Sequence, residues 1–187
     1  MIATGKGTLS ISTPRREGGR GASSARNADP PLVLFLCCTN TTNSIIAEAI
    51  LKHLGVGRVR AASAGELPYE DVNPFALECL SVHGITTTGL RTKMWGDFFG
   101  LDRPRVRFLI ALCDHYAAKA TWQEDTLIAH WHMPDPGEVG GSEIDIRVAF
   151  EEAFGRLDLR IRKFLALPLG ILNSTALARE LQRIGEI

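Results

Sequence analysis

The chain has 187 residues, 45% of them hydrophobic, and its 21 basic side chains balance 21 acidic ones. That size suits one domain with a sizeable core, and the balance gives no bulk attraction to nucleic acid or to an anionic membrane. No apolar run approaches the roughly 20 residues of a membrane-spanning helix, no signal-type apolar region stands at the N-terminus, and four cysteines without disulfide-framework spacing fit a reducing, cytoplasmic setting.

Residues 1–30 are rich in Gly, Ser, Thr and Arg and poor in large apolar side chains, so a disordered tail is expected ahead of a single domain over 31–187. The excess of Arg15, Arg16, Arg20 and Arg26 over acids leaves organelle targeting and phosphate contact open beside a plain solvated tail. Leu32 to Cys37 is an apolar run of strand length, and after a polar loop Ile45, Ile46, Ala49, Ile50 and Leu54 fall at helical spacing. Gly55 and Gly57 stop that helix. Arg58 to Ser63 alternates like a second strand, and Asn73-Pro74 opens a helix from Phe75 to His83 with Gly84 as its stop. A third, strongly buried strand is expected over Val106 to Cys113 and a fourth over Thr126 to Trp131. Ser142 to Leu165 and Asn173 to Ile184 carry the caps and apolar spacing of two further helices.

Strands alternating with helices predict an α/β fold of three layers, a parallel sheet of about four strands with helices on both faces. In such sheets ligands bind beyond the carboxyl ends of the strands, near the point where strand order reverses. The loop Cys37 to Asn43 ends the first strand. A polar loop that runs into a helix N-terminus offers unpaired N–H groups and partial positive charge, so it suits an oxyanion, and a cysteine at its start can serve as nucleophile. The same cysteine, taken alone, reads more often as a small core residue.

The stretch LFLCCTNTTNSIIAEA resembles the low-molecular-weight protein tyrosine phosphatase family, in particular its thioredoxin-coupled arsenate reductase branch. The family loop reads Cys, five residues, Arg, Ser. The resemblance puts Cys37 at the nucleophile position, Asn40 at the structural Asn and Ser44 at the serine that bonds the thiolate, with Cys38, Thr39, Asn40, Thr41, Thr42, Asn43 and Ser44 around the anion. Ala47-Glu48-Ala49, Ser63-Ala64-Gly65, Asn73-Pro74, Gly89-Leu90-Arg91-Thr92-Lys93 and the tail LPLGILNSTALARELQRIGEI extend it over 31–187. It implies a general acid at Asp135, within HWHMPDPG, and a second redox thiol at Cys113. It also implies phosphate, arsenate or a phosphorylated molecule as ligand and thioredoxin or glutathione as reductant; His130 and His132 lack the spacing and companions of a zinc site, and no bound cofactor or metal is expected.

Two positions depart from that pattern. The loop arginine falls on Asn43, and no arginine stands between Arg26 and Arg58. A neutral amide cannot supply the paired, charge-assisted bonds of a guanidinium to two anion oxygens, so slow catalysis and a less ionised Cys37 are expected. Where the branch has a third relay cysteine, HYAAKATWQ offers Ala120, and no cysteine follows Cys113. A Cys37–Cys113 disulfide then stays open, with Cys38 the one substitute for a third thiol. Cys79 reads as core. Two functions follow: an impaired thiol-dependent reductase or phosphatase, or a non-catalytic oxyanion-binding or regulatory module, a pseudophosphatase.

Overall fold

In the computed structural model, which describes residues 1, 29–99, 103–113 and 122–187, four parallel strands make one sheet. Strands β1 (Leu32–Cys37), β2 (Arg60–Gly65), β3 (Val106–Ala111) and β4 (Leu127–His130) stand in the order β2-β1-β3-β4. Helices α1 (Asn43–Leu54), α2 (Pro74–Val82), α3 (Glu143–Ala166) and α4 (Ser174–Gly185) complete the expected α/β architecture. Two short 3-10 turns, Trp95–Phe98 and Pro136–Glu138, had no periodic signal in the sequence. Most of the expected N-terminal tail lies outside the described residues. Among the described residues, no helix is long and apolar enough to cross a membrane.

Local chemistry explains most element ends. Asn73 accepts a hydrogen bond from Phe75 N with Pro74 as the first helical residue, Ser142 and Asp145 form a capping box, and Asn173 accepts from Ala176 N. α1 differs: Thr42 makes no side-chain cap, and its first turn holds no acid. β2 begins two residues later than the alternating pattern suggests. Arg58 N and Val59 N turn back to the Gly55 carbonyl, and pairing starts only where Arg60 N reaches Pro31 O.

The two sheet faces are covered differently. Val33 and Phe35 of β1 with Phe108 and Ile110 of β3 face one cluster, to which all four helices contribute, among them Ile50, Leu80, Phe154, Leu157 and Leu181. Leu32, Leu34 and Leu36 with Val106, Leu109 and Ala111 face the other, closed by Phe98 and Trp122 with Trp95 against them. Among the described residues, that second cover is a 3-10 turn and aromatic rings rather than an α-helix. Val106 shares a face with Leu109 because the register slips at Arg107: Leu32 pairs with Val106, and Val33 already with Phe108. Strand order reverses between β1 and β3, so the loop after β1 sits where this topology opens its crevice.

Candidate active site

The loop between β1 and α1 is built around Asn40. This residue is fully buried with φ at 54°, a left-handed conformation that asparagine tolerates better than most residues. Its amide nitrogen donates to Ser44 Oγ at 2.9 Å and Ser63 Oγ at 2.8 Å, and its Oδ1 accepts from Lys93 N at 2.7 Å. Gly65 allows the close approach, since a Cβ there would meet Cys38 O at 2.8 Å and Asn40 N at 2.9 Å.

Peptide geometry then aims the loop. The carbonyls of Cys38, Thr39 and Thr41 are taken from outside by Glu66 and Leu67, by Tyr69 and by Asn73. In a trans peptide the C=O and the following N–H point opposite ways, so the N–H groups of Thr39, Asn40 and Thr42 turn inward. Asn40 N confirms the direction by donating to Cys37 Sγ at 3.1 Å. Thr42 O accepts from Ile46 N, which turns Asn43 N–H toward the same space. The result is a ring of inward donors at the uncapped N-terminus of α1, with a sulfur at its base.

Cys37 is held by Ser44 Oγ at 2.9 Å as well as by Asn40 N. Burial pushes its thiol above the ordinary value; the bonds from Ser44 and Asn40 oppose that shift, and Asp135 and Cys38 add to it. Burial is thus the first cause of the low ionisation of Cys37. Alkylation of Cys37 by iodoacetamide, followed on its own peptide, is expected to be slow at neutral pH and still rising above about pH 9; a plateau near neutrality would contradict the site geometry. Folding follows the same sign. The native thiol keeps its proton longer than the unfolded one, so this stabilising contribution is complete below the unfolded pKa and is lost as pH climbs through the raised native value.

Asn43 and Asp135 meet across the loop mouth. Asn43 Nδ2 donates to Pro134 O at 2.9 Å, while its buried Oδ1 has no hydrogen-bond partner. Asp135 Oδ1 accepts from Thr42 Oγ1 at 2.9 Å and from Gly137 N at 2.9 Å, capping the 3-10 turn and holding the carboxylate over the loop. The segment before it is anchored by Arg160, a buried guanidinium on α3 that donates to His132 O and to Gly185 O beyond β4. Thr39 and Thr41 share a hydroxyl bond at 2.9 Å.

Behind the loop lies a network that the sequence reading left unassembled. Glu48 of α1, 3% exposed, accepts from Ser63 Oγ at 2.5 Å and pairs with Lys93 Nζ at 3.0 Å and Lys52 Nζ at 2.5 Å. Both Glu48 and Lys93 stood out only as landmarks of the resemblance. A glutamate inside an otherwise apolar helix face was the signal that it needed partners.

The thiols are distributed differently from the expected relay. Cys113 Sγ lies 3.2 Å from Cys38 Sγ, not against Cys37. Cys79 packs in the core as expected. It also joins His83 and Glu151 as a group whose ligand atoms lie within 4.8 Å of one another. Ala120, the position of the absent third cysteine, lies outside the described residues.

Residues 32–183 match the family described as low molecular weight phosphotyrosine protein phosphatase. The chain is 26% identical to a glutaredoxin arsenate reductase of Synechocystis over 135 residues, covering 72% of this chain and 95% of that protein. Among solved structures, a thioredoxin-dependent arsenate reductase of Corynebacterium glutamicum superposes with a TM-score of 0.52 at 26% identity, over 70% of this chain and 60% of that one. A tyrosine phosphatase of Erwinia amylovora superposes with a TM-score of 0.54 at 17% identity, over 83% and 93%, and that likeness speaks for the fold alone.

Proposed function

The chain belongs to the low molecular weight phosphotyrosine protein phosphatase family, and on that premise we propose that it binds a tetrahedral oxyanion in the loop Cys37 to Ser44 while transferring it slowly. One observation carries the reading: Asn40 N donates to Cys37 Sγ and its neighbours' N–H groups turn inward at an uncapped helix start, in a loop without a cation of its own. Position 43 is read as that of the family's arginine. Its asparagine is bonded to Pro134 O and carries no charge, so it cannot clamp two equatorial oxygens.

In this reading phosphate, arsenate or a phosphorylated molecule accepts the N–H groups of Thr39, Thr42 and Asn43, with the α1 dipole behind them. Cys37 is the nucleophile, and Ser44 with Asn40 stabilises its thiolate when it forms. Asp135, held by Thr42, stands where it can protonate a leaving oxygen. Arsenate chemistry draws support from the reductases named above, and thioredoxin or glutathione is the matching reductant class.

Calorimetry with inorganic phosphate and with arsenate is the first test, beside turnover of a chromogenic phosphoester and of arsenate with thioredoxin or glutathione. Binding in the millimolar range or tighter is expected, with weak turnover abolished by Cys37→Ser. Binding with no Cys37-dependent turnover assigns the non-catalytic alternative, toward which the raised thiol and the bonded Asn43 already lean. Absence of binding by either anion overturns the proposal.

A further inference from the structure

Strand parity separates the two adjacent cysteines. Leu36 pairs with Ala111 across β1 and β3, so in continued register Cys37 stands opposite Leu112 and Cys38 opposite Cys113. Alternate residues of a strand face opposite sides of the sheet. Cys37 and Leu112 accordingly pack into the helix-covered cluster, whereas Leu36 and Ala111 belong to the other. The sulfurs follow this arithmetic: Cys38 donates its S–H to Cys113 at 3.2 Å, and Cys37 bonds Ser44 and Asn40 instead.

We propose that Cys38 and Cys113 form a reversible disulfide, a redox pair at the rim of the anion loop that excludes Cys37. Closing it requires the sulfurs to move about 1 Å nearer, to the 2.05 Å or so of an S–S bond. The backbones on both sides are already fixed. Cys38 O accepts from Glu66 N and Leu67 N, and Leu112 N, just before Cys113, donates to Leu36 O. Residues opposite each other on neighbouring strands stand about 4.8 Å apart, inside the Cα–Cα range a disulfide spans, so the closing movement falls to the two side chains. Both thiols can be reached, since Cys38 is exposed and Cys113 half-buried, while Cys79 is buried far along the chain in α2.

The step balances with a glutathione-class disulfide as oxidant. Cys113, as thiolate, attacks one sulfur of oxidised glutathione and expels the other half as a thiolate. Cys38, on losing its proton, attacks the Cys113 sulfur of the mixed disulfide and expels the second glutathione. The two cysteines give up two electrons and two protons, and two molecules of reduced glutathione leave. In the resting protein partial burial, the contact with Cys113 and the carboxylates of Glu66 and Asp135 push the Cys38 thiol up, so Cys38 is poorly ionised and closure of the bond quickens with rising pH. Because a thioredoxin or glutathione system can reopen the bond, the pair couples the rim of the site to the redox state around it.

The Cys38–Cys113 bond forms whether or not an anion occupies the loop, since strand register and sulfur contact set the pair. The full chain, equilibrated in glutathione redox buffer and blocked with iodoacetamide, is digested and its disulfides mapped by mass spectrometry. A peptide linking Cys38 to Cys113 is expected, retained in Cys37→Ser and absent from Cys38→Ser and Cys113→Ser. Circular dichroism confirms the fold of each variant. A Cys37–Cys113 or Cys37–Cys38 link as the main product overturns the proposal, and so does full alkylation of Cys38 and Cys113 in a strongly oxidising buffer. Phosphate calorimetry on the reduced protein keeps the two ideas apart: no anion binding by the reduced chain, with the disulfide found on oxidation, refutes only the anion reading, and binding without the disulfide refutes only this one.

Discussion

Asn43→Arg is expected to raise Cys37-dependent hydrolysis of a chromogenic phosphoester by about 10³-fold or more, within the range of roughly 10³ to 10⁵ ascribed to arginines that stabilise phosphoryl-transfer transition states. That gain corresponds to about 4–7 kcal/mol of barrier. Three features of the site favour it. The inward N–H ring needs no rebuilding, because Asn40 sets it from buried contacts that position 43 does not share. Asp135 already stands over the loop through Thr42. The asparagine leaves Oδ1 buried without a partner, so its removal deletes an unsatisfied acceptor, and one of five guanidinium donors can still reach Pro134 O.

The added charge also acts on the thiol. A cation beside Cys37 opposes the burial that now raises its pKa, so the alkylation profile of Cys37 should move to lower pH in the variant. In the Asn43→Arg background, Asp135→Asn should then remove on the order of 10² to 10⁴ of the acquired rate, the usual contribution of a general acid. A folded Asn43→Arg protein that binds phosphate but gains no turnover would falsify the placement of the arginine at position 43.

How much of this could be read before any coordinates depends on distance along the chain. β1 was legible to the residue, since six apolar residues between Pro31 and a polar loop leave little choice. α2, α3 and α4 announced themselves through Asn73-Pro74, Ser142 and Asn173, whose cap bonds reach only two or three residues. The start of β2 was misplaced because Arg58-Val59-Arg60 alternates like a strand while its first two N–H groups close the turn after α1. The 3-10 turn at Trp95–Phe98 carries no period, and its aromatic residues settle as cover for the second sheet face, with Phe98 and Trp95 around Trp122.

For the site, the loop residues were legible and their partners were not. Cys37, Asn40 and Ser44 lie within seven residues and are joined by direct bonds. The contact between Cys38 and Cys113 spans 75 residues, and it lies beside the Cys37–Cys113 pairing that the sequence left open. Which of the two vicinal cysteines faces Cys113 depends on the register between β1 and β3, including the slip at Arg107, and no local pattern encodes that register. The bond from Asn43 to Pro134 is likewise fixed by how the segment after β4 folds back over α1.

Removing the buried acid behind the loop is the second large effect. Glu48→Leu is expected to destabilise the fold by about 3–5 kcal/mol, the typical cost of leaving one member of a buried ion pair without its partner, seen as a lowered urea midpoint. Glu48 is 3% exposed and the Lys93 side chain 10%, so water screens neither well. Burial already lowers the Lys93 pKa, and Glu48 is the group that opposes this; without it the ammonium remains buried beside Lys52 and Arg91. Ser63 loses its acceptor at the same time. The damage extends to the loop, because Lys93 N bonds Asn40 Oδ1 and Lys93 O accepts from Gly65 N, so a loosened Lys93 releases the residue that holds the left-handed turn. Phosphate affinity should therefore fall along with stability. Glu48→Gln, which retains an acceptor for Ser63, should cost less than the leucine. The double variant Glu48→Leu with Lys93→Met should cost less than the sum of its parts, since no uncompensated charge is left in the interior. Simple additivity of the two, with phosphate binding untouched, would mean that the network neither acts as a unit nor supports the loop.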